Sequence, residues 1–256
     1  MIKEHIPFVY EIENNLSIDF CDQLINLYEY LKENGLERFI NLPNDLLVNK
    51  GHDNNIKSYE DIYISKLLFE DISDDIKEHI SKIDKTLFDR LTGGLYEFYE
   101  KTHDLFFLDK FDWYNDLHDD KILSKRRFRT FCSDSGYQIQ RCGGDLKGFK
   151  LHDDANPELV FDNSKIAYGV RSLTFTWYLN DNFEDGGTYF PYSNFTYIPK
   201  QGSLLFFPSF WTHSHIGFAP KQKFKYICTG WMHHMSHNNM PGFRTGFTHD
   251  QVNFDT

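Results

Sequence analysis

Residues 202–215 read GSLLFFPSFWTHSH, and this stretch decides how the C-terminal half of the chain folds. Its first part is an apolar and aromatic run between Gly202 and Pro208, which is typical of a buried β-strand. The run leads into a turn that ends with two histidines, His213 and His215. In an extended chain both imidazoles would point the same way, so periodicity alone does not separate them.

Similar short runs, rich in aromatic and β-branched residues, alternate with Gly, Asn, Asp and Pro turns from about residue 105 onward. The predicted strands are Tyr137–Arg141, Ser172–Leu179, Thr188–Pro191, Ser203–Phe207 and Tyr226–Met232. The chain has 25 Phe and 15 Tyr among its 256 residues, which favours a packed core over disorder.

Helical periodicity dominates the N-terminal part. Residues 16–34 predict an amphipathic helix with Ser17 as its N-cap and Gly35 as a stop signal, and residues 73–99 predict helix that Gly93-Gly94 breaks in two. A polar stretch from Asn41 to Asn55 predicts a loop. Helices followed by many short strands predict an α+β fold, in which helices brace a β-sandwich or jelly roll. We expect a single domain over residues 1–256, with a helical part at about 1–104 and a jelly-roll core at about 105–235.

Charge and composition exclude several classes of function. The formal net charge of −11 disfavours nucleic-acid binding, and we interpret the basic run Lys121, Lys125, Arg126, Arg127 and Arg129 as a solvated loop or helix end. No signal peptide or membrane-spanning apolar stretch is evident, so we expect a cytoplasmic protein with no membrane partner. The scattered cysteines, which we expect to be reduced, form no zinc-ribbon or redox pair: Cys21, Cys132, Cys142 and Cys228.

A metal site is indicated by His152-Asp153-Asp154. Residues two apart on a strand share a face, so His152 and Asp154 can present an imidazole and a carboxylate together. With one distal histidine they would form the two-His-one-carboxylate set of non-heme Fe(II) oxygenases. Asp153 could replace Asp154 only if the segment were a turn.

A lysine on the next predicted strand indicates a second part of the candidate site, beside the metal ligands. Lys225 follows His215 by ten residues, and Trp231 follows Lys225 by six. A basic side chain near such a metal suits a chelated keto acid, whose distal carboxylate needs a cation.

Taken together, these motifs resemble the prolyl 4-hydroxylase-like branch of the 2-oxoglutarate/Fe(II)-dependent dioxygenases. The resemblance spans about residues 137–231 and includes Arg171-Ser172-Leu173-Thr174, Tyr178-Leu179-Asn180 and the stretch from Gly186 to Pro191. It implies a double-stranded β-helix with the metal at its mouth. The spacing to Lys225 favours His215 over His213 as the distal ligand.

Carried over by position, the resemblance implies a role for each matching residue. His152, Asp154 and His215 would bind Fe(II); Lys225 would pair with 2-oxoglutarate, aided by the strand of Thr174; and Trp231 would lie beside the substrate. His213 is not part of the resemblance; from the residues alone it would be a neighbour of the ligands or lie on the substrate side. O2 would be the co-substrate, with ascorbate as a candidate reductant.

Two departures from the family pattern stand out. Gln140 replaces a tyrosine that bonds 2-oxoglutarate, although an amide can still donate to a carboxylate. Lys223 replaces a glycine, and strand alternation would place Lys223 beside Lys225 as a competing carboxylate partner.

The resemblance favours a hydroxylase of peptidyl proline that converts 2-oxoglutarate to succinate and CO2. The alternatives are a hydroxylase of a free amino acid or other small molecule, a non-catalytic jelly-roll binding domain, and a zinc hydrolase. Segments 154–168 and 104–129 are expected to be loops that shape the specificity. The histidines His233, His234 and His237 predict a solvated loop, with a second metal site as the alternative.

Overall fold

A computed structural model describes residues 2–34, 57–68, 72–102, 132–155, 157–162 and 165–235. The predicted loop at 41–55, the basic run at 121–129, the segment 104–129, Gly35 and His237 lie outside these residues, so their predictions are not tested here.

The helices are α1 (Ile18–Glu33), the short α2 (Ile64–Leu67) and α3 (Asp74–Thr102). The Ser17 hydroxyl accepts a hydrogen bond from the Phe20 N–H at 3.2 Å, which confirms the predicted N-cap of α1. The prediction that Gly93-Gly94 breaks α3 is wrong, because α3 runs unbroken through both glycines. A Cβ on Gly94 would lie only 2.7 Å from Leu204 Cδ2, so this glycine allows the helix to pack closely against the sheet.

The strands in chain order are β1 (Ile2–Ile6), β2 (Val9–Ile12), β3 (Lys57–Ser58), β4 (Glu60–Tyr63), β5 (Cys132–Asp134), β6 (Gln138–Gly143), β7 (Gly148–His152), β8 (Pro157–Asp162), β9 (Lys165–Tyr178), β10 (Thr188–Phe190), β11 (Phe195–Tyr197), β12 (Leu204–Pro208), β13 (His215–Phe218) and β14 (Phe224–Met235). All five predicted strands are confirmed, as β6, β9, β10, β12 and β14.

These strands form two antiparallel sheets. The larger one has nine strands in the order β1-β2-β12-β9-β14-β6-β4, with β5 added beside β14 and β8 beside β9. The smaller one has five strands in the order β11-β10-β13-β7-β3. The architecture is thus the predicted α+β fold with a jelly-roll core.

Two apolar clusters separate the layers. One joins α1 and α3 to the outer face of the large sheet, where Phe175 and Trp177 of β9 are buried. The other, which includes Tyr178 and Phe207, lies on the opposite face of that sheet, toward the small one. Consecutive residues of β9 alternate between these faces, as the period of a strand requires.

Three sequence-based expectations need correction. The N-terminal part predicted as helical also supplies β1–β4, and β2 escaped detection because all four of its residues are buried and leave no alternation. The predicted loop at 154–168 contains the hairpin of β8 and β9. His233 and His234 belong to β14, not to a loop.

None of the helices in the described part of the chain is long and apolar enough to cross a membrane.

Candidate functional site

Strand pairing in the small sheet brings His152 and His215 together. His152 ends β7, His215 begins the adjacent antiparallel strand β13, and the two residues lie directly opposite each other. Asp154 follows two residues after β7, where its backbone N–H donates to the Ser209 carbonyl at 3.0 Å. The side chain of Asp154 is buried, whereas Asp153 is exposed and is therefore not the carboxylate at this position.

The three side chains form one compact group, with a ligand atom of each lying within 4.8 Å of the others. Asp154 Oδ1 lies 3.6 Å from His152 Nε2, and Asp154 Oδ2 lies 3.9 Å from His215 Nε2. The His152 Nδ1 atom is 2.7 Å from the Lys150 carbonyl, and the His215 Nδ1 atom is 3.2 Å from the His213 carbonyl. Since a carbonyl only accepts, each Nδ1 carries a hydrogen, and Nε2 is the atom of each neutral ring that can bind a metal.

Asp154 is held in its ionised form. Burial alone would raise the pKa of this carboxyl, but His215 and His152, together with a hydrogen bond from Thr174 and the charge of Arg171, lower the pKa to about 2. The Thr174 hydroxyl donates to Asp154 Oδ2 at 2.8 Å and lies 3.0 Å from Ser209 Oγ. Thr174 therefore supports the metal carboxylate, whereas the sequence placed it with the 2-oxoglutarate contacts.

A pocket leads from this group into the space between the sheets. Its walls follow the period-two alternation of two neighbouring strands, since Thr174, Thr176 and Tyr178 line it from β9 and Lys225, Ile227, Thr229 and Trp231 line it from β14. Gln140 lines the pocket from β6, and its contact with 2-oxoglutarate stays a prediction.

Lys225 lies inside this pocket, is 5% exposed, and forms no ion pair with any described residue. Its ammonium donates to the Gly186 carbonyl at 2.9 Å and to the Phe218 carbonyl at 2.7 Å. Burial lowers the pKa of Lys225 to about 8. A buried cation without an acidic partner suits a carboxylate ligand.

Lys223 does not compete with Lys225, so the expectation that both share a face is wrong. Lys223 is exposed and precedes β14, in a turn where its φ is +64°. The left-handed conformation explains why a glycine would suit this position, and it breaks the strand alternation on which the expectation relied.

Several pocket residues were not predicted. Tyr178 and Thr188 share a hydrogen bond of 2.8 Å between their hydroxyls and lie in the same pocket as Lys225. Tyr59 stacks on Phe149, with ring centroids 4.4 Å apart, and Phe149 stacks on His152 at 5.4 Å. The alternation of side chains along β9 could have identified Tyr178 as a pocket residue. Tyr59 comes from a distant segment, and no motif in its sequence indicates a place in the pocket.

Of the two residues assigned to the substrate side, the structure brings only Trp231 to the pocket. Its buried Nε1 atom has no hydrogen-bond partner among the described residues, and the Arg171 guanidinium lies 3.7 Å from the centroid of its ring. His213 lies outside the pocket, because its ring bonds to the Pro7 carbonyl at 3.0 Å.

Residues 137–233 match the family model of the 2OG-Fe(II) oxygenase superfamily. The matched segment contains the three clustered side chains and Lys225. Over this segment the chain is similar to that superfamily. A comparison with curated proteins finds no match.

Solved structures of prolyl hydroxylases share the fold. A viral collagen prolyl hydroxylase from Paramecium Bursaria Chlorella virus-1, solved with 2-oxoglutarate (2OG), has 18% identity and a TM-score of 0.51, over 89% of this chain and 96% of that one. A prolyl hydroxylase from Trichoplax adhaerens, solved with a hypoxia inducible factor peptide, has 17% identity and a TM-score of 0.53, over 88% of this chain and 82% of that one.

The residues present fit the cofactors of this superfamily, Fe(II) and 2-oxoglutarate. Two imidazoles and one carboxylate form the donor set that non-heme Fe(II) oxygenases use. The ammonium of Lys225, which forms no ion pair with a described residue, suits a dicarboxylate that reaches from the metal into the pocket.

Proposed function

We propose that this protein is an Fe(II)/2-oxoglutarate-dependent oxygenase that hydroxylates a C–H bond of a peptidyl proline. His152, Asp154 and His215 would hold Fe(II), and Lys225 would hold the distal carboxylate of 2-oxoglutarate. The observation that carries this assignment is the buried Lys225 ammonium, which shares a pocket with the His–Asp–His group and has no acidic partner there. A zinc hydrolase would leave this lysine without a role.

The cofactors supply the oxidising chemistry when bound: one oxygen atom of O2 enters succinate, with loss of CO2, and the other enters the substrate as a hydroxyl group. The protein contributes geometry. The carbonyls of residues 150 and 213 orient the two imidazoles, and Thr174 fixes the rotation of the Asp154 carboxylate. The pairs Tyr178–Thr188 and Thr176–Thr229 offer hydroxyl groups along the pocket wall.

Trp231 supports a peptide as the substrate. Its unpartnered Nε1–H lies at the pocket and can donate to a carbonyl oxygen, a group that every peptide bond offers. Two proteins of the same fold are named as a collagen prolyl hydroxylase and as a prolyl hydroxylase bound to a peptide. These likenesses favour proline over other side chains.

The direct test measures succinate formation from 2-oxoglutarate with Fe(II) and O2, with and without proline-containing peptides. We expect a peptide to stimulate turnover and to gain 16 Da, with a matched peptide containing alanine for proline as the control. Stimulation by free amino acids alone would replace the peptide assignment with a small-molecule one. Absence of turnover with every substrate, in protein that binds Fe(II) and 2-oxoglutarate, would favour a binding domain.

A further inference from the structure

The turn between β1 and β2 contacts the segment that precedes β13. Phe8 in this turn has a φ of +66°, which is uncommon for an aromatic residue, and its N–H donates to Glu4 Oε1 at 3.2 Å. The Pro7 carbonyl lies 3.0 Å from His213 Nε2, and the Phe8 ring meets the His213 ring edge-on with centroids 6.3 Å apart. The N-terminal hairpin is thus attached to the residue two positions before His215.

Hydrogen bonds define the state of the His213 ring. The Pro7 carbonyl only accepts, so His213 Nε2 carries a hydrogen; the Thr212 hydroxyl, 3.0 Å from Nδ1, then acts as the donor. Both ring nitrogens are therefore occupied. The backbone carbonyl of the same residue accepts the hydrogen bond from His215 Nδ1 at 3.2 Å.

We infer that His213 is a positioning residue for the distal ligand: it anchors the carbonyl that orients His215 to the turn between β1 and β2. This inference rests on the proposed Fe(II) site. The corresponding acceptor for His152 is the Lys150 carbonyl, which belongs to strand β7. The His213 carbonyl lies in a short 3₁₀ turn, where the anchored ring restricts its rotation. A ligand oriented in advance loses less entropy when the metal binds.

The test measures Co(II) binding to the metal-free full-length chain by visible absorption, without any need for turnover. We expect His213→Ala to weaken Co(II) binding about 10-fold, the low end of the usual cost of disturbing a partner that orients a ligand, because the variant keeps the carbonyl of residue 213 and loses only its anchor. His213→Gln keeps an N–H donor of similar reach and should recover most of the affinity. The matched control is Ser214→Ala, which removes a hydrogen bond of 2.9 Å to the Trp211 carbonyl in the same turn. This control should stay within about twofold of the unaltered protein, because Ser214 forms no hydrogen bond to the hairpin.

Failure of this inference is distinguishable from failure of the proposed function. If the unaltered protein binds no Co(II), the metal site itself is wrong. If the unaltered protein binds Co(II) and His213→Ala binds equally well, or Ser214→Ala is equally weakened, the positioning role is overturned. Should His213→Ala fail to fold, Phe8→Gly tests the link from the other side, because glycine tolerates the positive φ while the ring against His213 is lost. Weaker Co(II) binding would support the link, and unchanged binding would overturn it.

Discussion

The two ends of the pocket satisfy their charges in different ways. At the metal end, the charge of Asp154 is balanced by its neighbours, since two histidines face it and Thr174 donates to it. At the other end, the partners of the Lys225 ammonium among the described residues are the carbonyls of Gly186 and Phe218. Burial therefore dominates at Lys225 and lowers its pKa to about 8, whereas the charged and polar neighbours of Asp154 outweigh its burial and lower its pKa to about 2.

At the metal end, residues of the protein itself balance the charge of Asp154. At the lysine end, the charge of Lys225 is balanced only when an anionic ligand binds. A change at the metal end should alter metal affinity first. A change at the lysine end should alter the requirement for 2-oxoglutarate and leave metal affinity intact. Each prediction below tests this separation.

The largest effect is expected at the distal ligand. His215→Ala should abolish iron-dependent activity, because one of only three protein ligands is lost, whereas His213→Ala should leave some activity. Metal titration and succinate formation measure both. The loss for His215→Ala should exceed the roughly 10–100-fold cost of losing an orienting partner. Equal losses in the two variants would contradict the choice of ligand.

Lys225→Ala should raise the KM for 2-oxoglutarate on the order of 100-fold, or ~3 kcal/mol, because the distal carboxylate would lose its buried partner. Co(II) affinity should not change. Lys223→Ala is the matched control, because Lys223 is exposed and lies outside the pocket, and its KM should match that of the unaltered protein. An increase in KM for Lys223→Ala instead would identify Lys223 as the partner.

Thr174→Val keeps the shape of the side chain but removes the hydrogen bond to Asp154, and should weaken Co(II) binding about 10–100-fold. Thr176→Val provides the comparison, since the Thr176 hydroxyl bonds to Thr229 and not to Asp154. A loss of metal affinity that is equal in both variants would show that pocket polarity, and not the bond to Asp154, is responsible.

The smallest effect concerns pH. The lysine binds a carboxylate only while it is protonated, and its pKa is lowered to about 8, so the KM for 2-oxoglutarate should be flat below that value and rise above it. Between pH 7 and pH 9 the increase should be about tenfold. Lys225→Arg stays charged throughout and should remove this part of the pH dependence. The same rise in that variant would assign the titration to another group.

The sequence predicted the strands that have one face on an apolar cluster and the other face on the pocket, which are β9 and β14. The resemblance also predicted that His152, Asp154, His215 and Lys225 meet at one site, and the structure brings the four side chains into one pocket. The pairing of His152 with His215 was not readable, because β7 and β13 are short and their contact depends on the sheet order. The low helix propensity of glycine predicted a break at Gly94, but the helix is unbroken there. Packing of Gly94 against Leu204 overrides the propensity.

Some positions depart from local sequence rules or make contacts that such rules do not reveal. Lys223 adopts a left-handed turn conformation that alternation does not anticipate. The Thr174 hydroxyl is used by Asp154, a residue on a different segment, so no spacing rule could assign it. The sequence left His213 either beside the ligands or on the substrate side, because its contact, the Pro7 carbonyl, lies in a hairpin that the sequence did not reveal.

The most direct test is an anaerobic titration of the full-length protein with Fe(II) and 2-oxoglutarate, followed by the visible charge-transfer absorption of a ferrous ion chelated by a 2-oxo acid. We predict that the band appears only when both are present, is lost in Asp154→Ala, and needs far more 2-oxoglutarate in Lys225→Ala. Absence of the band in the unaltered protein, or its full persistence in Asp154→Ala, would contradict the assignment of this pocket as an Fe(II)/2-oxoglutarate site.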